Sequence, residues 1–501
     1  MDERFDSMSE LSRREFAKLI AVASVASGVP QTPTTGRTIG IQVGAVSFVD
    51  EGVESVLDRF QRDANINALF IATFSYGRGI AGRQVPGQPL PDHGKQEYDA
   101  AFHGGNFAST HGNYYQHTSL KKIAAPDHPG FDVLASVLPQ AQSRRMKVFC
   151  WYEDVFRGDL EGIEPLQEVT LSGKKAGTLC FHNPEVQGFW QALTEDYLRS
   201  YPVDGVMWGS ERQGPFGHAI GAAHGGGRAN PLEVTCFCDF CKREAKARGI
   251  EVQRAVEGYT RLAALVRDSR TANRPTDGSF VSFWRLLVKY PEILAWEKLW
   301  NDGQKSTYAN IYQLSKSIRP DIPVGWHIWH NNSFSPFYRA EQDYAEFRQY
   351  SDFLKVVMYN NCGGPRLVSF VDSVSRTIFG DFPPEAVLDL TYKMQNYREA
   401  TLTDLPRKGL SADYVERETR RAVAGVSSPS PAAKVLSTPK IWPGIDIDIP
   451  TGKDEKKTEP QDVREAVRAA LGAGADGVIL SRKYSEMRLA NLRAAGEALR
   501  A

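Results

Sequence analysis

Acidic residues recur in this sequence where short apolar runs end. Glu153 and Asp154 follow residues 147–152, Glu211 follows 203–208, Asp446 and Asp448 fall at the end of an apolar run, and Glu486 lies just past 477–481. Around them stand Trp208, His327, Trp329, His330, Tyr359, Arg482 and Tyr484. Carboxyls beside aromatic rings are the tools of glycosidic cleavage. One carboxyl protonates the leaving oxygen, a second attacks or activates water, and ring faces can stack on sugars. Glu211 is the first candidate for the proton-donating role, with a structural pair to Arg212 as the competing use of its charge. Asp446 and Asp448 share side-chain parity on a strand and are the candidate partner carboxylates, Asp446 first. Glu153, Asp154, Trp208, His327, Trp329, Tyr359, Arg482, Tyr484 and Glu486 are candidate substrate contacts. His327 and His330 cannot share a face if both lie in one strand. No G-x-S-x-G or H-E-x-x-H occurs, which sets aside serine esterase and zincin chemistry.

The elements that must carry these residues alternate. Apolar runs at 39–48, 68–74, 147–152, 203–208, 324–329, 354–359, within 434–447 and at 477–481 read as strands, with helical patterns between them. Eight strand–helix units imply a parallel sheet and fit a closed (β/α)8 TIM barrel of the α/β class. A doubly wound open sheet is the alternative, weakened because the first strand-to-helix turn lacks G-x-G-x-x-G. In such a barrel the C-terminal strand ends form the active mouth, which is where the residues above fall. Asn183-Pro184-Glu185 opens a helix, with Asn183 as its cap. Long insertions are expected near 76–128, 212–317 and 381–433. The first is rich in Gly, His and Tyr and could cover a substrate or simply pack. The last is expected to hold a strand at 387–390 and a helix at 412–426. The barrel domain spans 36–501.

Three of six cysteines crowd into Cys236-Phe237-Cys238-Asp239-Phe240-Cys241. Thiols so dense suit a metal, with disulfides as the alternative. Cys150 and Cys362 sit on or near strands and read as small buried residues. Cys180-Phe181-His182-Asn183-Pro184, the strand ending in Glu211, and C-x-C-x-x-C follow in that order. This order over residues 178–250 resembles the family 42 glycoside hydrolases, the β-galactosidases. The resemblance implies a structural zinc site at Cys180, Cys236, Cys238 and Cys241, and Glu211 as acid/base. It has two departures: Ser210 stands where the family has Asn, and the seventh strand offers Asp446 and Asp448 rather than Glu. Galactose specificity is therefore not carried over. The stretch 474–484 looks like that of uncharacterised bacterial glycoside-hydrolase-like barrels.

Ahead of the barrel, Ser12-Arg13-Arg14-Glu15-Phe16-Ala17-Lys18 precedes a short Ala- and Ser-rich run. The pattern resembles a twin-arginine export signal, which predicts residues 1–35 to be a signal peptide and linker, the export machinery to be a partner, and the mature protein to be periplasmic or secreted. No other stretch is long and apolar enough for a stable membrane anchor. Lys+Arg and Asp+Glu both number 60, a balance that argues against nucleic acid. The expected function is an exported glycoside hydrolase acting on a carbohydrate by two carboxylates. The alternatives are a non-catalytic carbohydrate-binding barrel and a metal enzyme using His327 or His330.

Overall fold

A computed structural model describes residues 36–224, 230–271, 273–428 and 437–500. The expected export signal and the Gly225-Gly226-Gly227 loop lie outside the described residues. The strands are β1 (Thr38–Gly44), β2 (Ala68–Ser75), β3 (Lys147–Glu153), β4 (Gly205–Gly209), β5 (Val324–Ile328), β6 (Phe353–Met358), β7 (Gly444–Asp446) and β8 (Gly477–Ser481). Each pairs in parallel with the next, and β8 returns to β1, closing an eight-stranded barrel. The expected barrel is therefore the observed fold, and the open-sheet alternative falls because β1 is bonded on both sides. Two short strands extend the sheet, Gly105–Asn106 against β2 and Lys440–Ile441 against β6.

Helices cover the outside: α1 (Val53–Ala64), α2 (Val133–Ser143), α3 (Pro184–Ser200), α4 (Glu292–Ile318), α5 (Gly363–Ser375), α6 (Ala412–Ser427), α7 (Pro460–Gly472) and α8 (Leu489–Arg500). Asn183 caps α3 as expected, its Oδ1 accepting from the Glu185 N–H at 3.0 Å. Two expectations fail locally. The run 39–48 leaves the sheet at Gly44, and Ala45–Glu51 is a short helix. The strand expected at 387–390 is part of a helix, Pro384–Gln395. Proline at its first positions and Asn396 in the left-handed conformation at its end are helix signals, and they outweigh a short Val-Leu-Asp-Leu run. Among the described residues no helix is long and apolar enough to cross a membrane.

The barrel interior is layered. Phe70 stacks on Phe149 with centroids 4.7 Å apart, Phe353 stacks on Trp442 at 4.2 Å, and the two pairs meet edge to face. Gly205 and Gly325 make room for this plug, since a Cβ at either would collide with Phe149 or Phe353. The plug blocks the lower end, so any small molecule must approach from the strands' C-terminal ends. Above it the interior turns polar, with Gln42, Glu153, His327, Lys355 and Ser481 all buried.

Candidate active site

Strand parity selects which residues reach that polar layer. On β3, Glu153 lies on the same face as Phe149 and so points inward. On β4, Gly209 leaves the space that the Glu153 carboxyl fills, because a Cβ there would overlap it. Gly444 on β7 does the same for the Lys355 side chain, which would lie 2.6 Å from a Cβ. These two glycines admit a carboxyl and an ammonium side by side in the barrel.

The polar layer is wired in one direction. Lys355 Nζ donates to Gln42 Oε1 at 2.7 Å, to Tyr359 OH at 2.8 Å and to His327 Nδ1 at 3.1 Å. All three ammonium protons are thereby used. Because Nδ1 accepts, the proton of neutral His327 sits on Nε2, which donates to Glu211 Oε1 at 2.9 Å. His327 Nδ1 also lies 3.8 Å from Glu153 Oε1. One imidazole ring therefore separates two carboxyls carried by neighbouring strands.

Their environments differ. Glu153 is 2% exposed and accepts from the Trp151 indole N–H. Burial first, then the Glu211 charge, push its carboxyl up to about 8, against the pull of Trp151 and Lys355. Glu211 has a side chain 49% exposed. Burial raises it, but the His327 hydrogen bond and charge, with Arg366 and His224 behind them, bring it down to about 2. Burial is the largest single effect, and it is overcome only by the His327 bond acting together with the surrounding positive charge. Burial and the neighbouring Lys355 lower the His327 imidazole to about 4, and burial lowers the Lys355 ammonium to about 7. At neutral pH the site thus holds an ionised carboxylate at its mouth and a protonated carboxyl below it.

Other sequence candidates have different places. Asp446 is buried, and both its oxygens accept backbone N–H groups, of Cys362 and Ile449, each at 3.0 Å. Asp448 accepts from the Arg488 backbone at 2.7 Å and from Asn491 at 3.0 Å, pinning the start of α8. Both are occupied in holding loops, and the carboxyl that faces Glu211 across His327 is Glu153 instead. Asp154 joins Arg212 at 2.9 Å, and Arg212 reaches Glu168 at 2.6 Å. That pairing removes Arg212 as a partner for Glu211. Trp208 lies on the outer face of β4, fully buried against Trp190 of α3 and Tyr308 of α4, where no substrate can reach it. Tyr484 is likewise withdrawn. Its hydroxyl accepts from Arg59 at 2.6 Å and its ring stacks on His93 at 4.2 Å. Arg482 and Glu486 bind each other through two hydrogen bonds of 3.1 and 2.8 Å. Trp329 packs at the mouth against His224 and Tyr338. His330 has left the strand for a 3-10 turn and bonds Tyr414 at 3.0 Å. In the first insertion His111 and Tyr115 bond Asp196 of α3, so that stretch packs on the barrel's outside. Lys355 and Arg366 were not among the sequence candidates. A lysine inside an apolar strand, Phe-Leu-Lys-Val-Val-Met, was the available signal for the first.

Away from the barrel axis, Cys180, Cys236, Cys238 and Cys241 are buried and free, with all four sulfurs within 4.8 Å of one another. Cys180 Sγ lies 3.4 Å from that of Cys238 and 3.6 Å from that of Cys241. These separations exceed a disulfide's and suit four thiolates around one ion at about 2.3 Å. The cluster is a set that could hold a metal. Cys150 and Cys362 are buried and free as well.

No protein-family profile matches the chain, and no curated protein matches it. Solved structures similar to it include glycoside hydrolases. One is α-L-fucosidase isoenzyme 2 from Paenibacillus thiaminolyticus, at 11% identity and a TM-score of 0.48, over 93% of this chain and 49% of that one. Another is a β-galactosidase from Halorubrum lacusprofundi, at 14% and 0.49, over 92% and 57%. A third is the PgaB glycoside hydrolase domain from Bordetella bronchiseptica, at 12% and 0.44, over 89% and 94%. The chain thus spans about half the length of the fucosidase.

Proposed function

We propose that the protein is a glycoside hydrolase in which Glu211 is the charged carboxyl and Glu153 the proton-bearing one. One observation carries the reading: two carboxyls flank the His327 ring, at 2.9 and 3.8 Å from its nitrogens, and are driven to opposite protonation states. Paired titratable groups pushed apart in this way mark acid and base assignments, and glycosidic cleavage needs one of each. Glu211, open at the mouth, attacks the anomeric carbon or takes the proton of a water that does so. Glu153 gives its proton to the leaving oxygen. The sequence expectation had Glu211 as proton donor; its bond to His327 favours the ionised form and moves it to the other role. The sugar and the linkage are not specified by these two groups.

Zinc is the ion we assign to Cys180, Cys236, Cys238 and Cys241. Bound by four thiolates it has no open position, so it supplies a cross-link. It would tie the segment after β4 to the hairpin of Gln167–Val169 and Lys175–Leu179. The same region is braced by Trp296, whose indole N–H bonds the Cys236 carbonyl at 3.1 Å.

The test uses leaving groups. Glu153→Gln should lose activity on alkyl glycosides by about 100-fold or more yet keep most of it on dinitrophenyl glycosides, whose leaving oxygen needs no proton. Glu211→Gln should lose both. In the wild type kcat/KM should fall as pH rises through about 8, where Glu153 ionises, and Glu153→Gln should remove that limb. If Glu211→Gln turns over dinitrophenyl glycosides as the wild type does, the assignment fails.

A further inference from the structure

Arg366 is a cation to which the mechanism above gives no contact with substrate, and its placement runs against ordinary helix electrostatics. It lies in the first turn of α5, directly after β6, and so at the barrel mouth. That turn contains no acidic residue and has no side-chain cap. A helix start carries positive partial charge and favours anions, so a guanidinium there adds like charge to like. Among the described residues Arg366 forms no ion pair with a carboxylate. It is only partly buried, and its contacts are a hydrogen bond to His330 Nδ1 at 3.0 Å and the Tyr359 ring, 5.8 Å away. A guanidinium at the barrel mouth with no carboxylate in direct contact keeps most of its donors for something outside the fold.

The guanidinium is also aimed. Tyr414 OH donates to Ser333 Oγ at 2.8 Å, so it accepts from His330 Nε2–H at 3.0 Å. That leaves His330 Nδ1 as the acceptor for one Arg366 N–H. One of five N–H groups is spent on orientation, and the others remain to form the planar fork that matches a carboxylate or sulfate. Among the described residues the buried His224 Nε2 has no hydrogen-bond partner, and its ring lies 6.2 Å from that of His330, which Arg366 bonds. The Tyr359 ring lies between the Lys355 ammonium, 5.2 Å from its centroid, and the Arg366 guanidinium, 5.8 Å from it, and Lys355 bonds the His327 ring that holds Glu211, so Arg366 and the half-exposed Glu211 stand on one network at the mouth.

We propose that the mouth beside Arg366 and Glu211 receives a sugar bearing an anionic group, a carboxylate or a sulfate, with Arg366 as the residue that binds it. The proposal rests on the glycosidase reading and names its substrate class. Ionised Glu211 repels such a sugar, so recognition comes from the short-range fork rather than from net positive field. Removing the Glu211 charge should therefore strengthen binding.

The test is calorimetric, on the full chain carrying Glu211→Gln, which measures binding without turnover. The probes are uronate-containing oligosaccharides, sulfated oligosaccharides and their neutral counterparts. One acidic class should bind at least about 10-fold more tightly than its neutral counterpart, and more tightly than it binds the wild type. Adding Arg366→Gln should erase about 10- to 100-fold of that affinity and Arg366→Lys part of it, with melting temperature as the folding control. Equal or better binding of neutral sugars, acidic binding unchanged by Arg366→Gln, or no binding of any probe would overturn the proposal. Which acidic class binds separates carboxylate from sulfate. If acidic sugars bind through Arg366 while the wild type cleaves no glycoside, the hydrolase reading falls and this one stands. If the wild type cleaves only neutral glycosides, the reverse holds.

Discussion

A buried lysine whose three protons all have acceptors is a device for setting direction. Lys355 presents a donor to His327 Nδ1 and thereby places the imidazole proton on the side of Glu211. The groups facing it are Gln42 on β1, Glu153 on β3, His327 on β5, Tyr359 beyond β6 and Arg482 beyond β8, with Glu211 across the ring. Methionine fills much of the same volume but donates nothing. In Lys355→Met the ring is free to take the other tautomer, and Glu211 loses its hydrogen bond. Its carboxyl should then move up from about 2 toward the usual carboxylate range. The acid limb of kcat/KM should move to higher pH with it, and kcat should fall by about 100-fold or more. Nitrogen NMR of the His327 ring reads the tautomer without any substrate. An unchanged Nε2–H signal in Lys355→Met would refute this role for the lysine.

At the scale of elements, the barrel strands supply position and the segments between them supply bracing. Helix Asp239–Ala247 begins at Cys238, with Cys241 in its first turn, where backbone N–H groups favour a thiolate. Cys180 comes from the other side, just before α3. A bound ion would therefore join two segments that lie on either side of β4 in the chain. From Cys180 the connection to the site is short. The Leu179 carbonyl accepts from Arg212 at 3.0 Å, and Arg212 is the residue after Glu211. Cys236→Ser should abolish stoichiometric zinc, measured by elemental analysis of the purified protein, and lower the melting temperature by several degrees. If the cysteines prove to be paired as disulfides and zinc is absent, the assignment of the cluster is wrong.

For the molecule as a whole, the thiol cluster bears on how the protein would leave the cytoplasm. Metal binding needs free thiolates and is coupled to folding, so the cluster assembles best where cysteines stay reduced. The twin-arginine route, expected from Ser12-Arg13-Arg14-Glu15-Phe16-Ala17-Lys18, carries proteins already folded. We expect Arg13→Lys with Arg14→Lys to leave the full-length chain in the cytoplasm with its zinc bound. Cell fractionation with metal analysis checks this, and undiminished export of the double variant would remove the twin-arginine assignment.

The barrel was legible because alternation of apolar runs and helical periods is a local property, repeated eight times, and parallel strands joined by helices have few ways to close. The four-cysteine cluster was legible because its spacing and chain order are themselves sequence features, and the place of Glu211 past the end of a strand was legible from the apolar run before it. The carboxyl that faces Glu211 across the His327 ring was not. Asp446 and Glu153 are both acids at strand ends, and no local pattern says which one spends its oxygens on backbone N–H groups and which sits beside an imidazole. Trp208 was misplaced for a related reason. Parity tells that neighbours on a strand face opposite ways, but which face is the inside depends on register across the sheet. The sequence by itself determined the architecture and the inventory of chemical groups. Only the tertiary structure decided protonation and partnership, because burial, hydrogen-bond direction and the space left by Gly209 and Gly444 arise from strands that are distant in the chain.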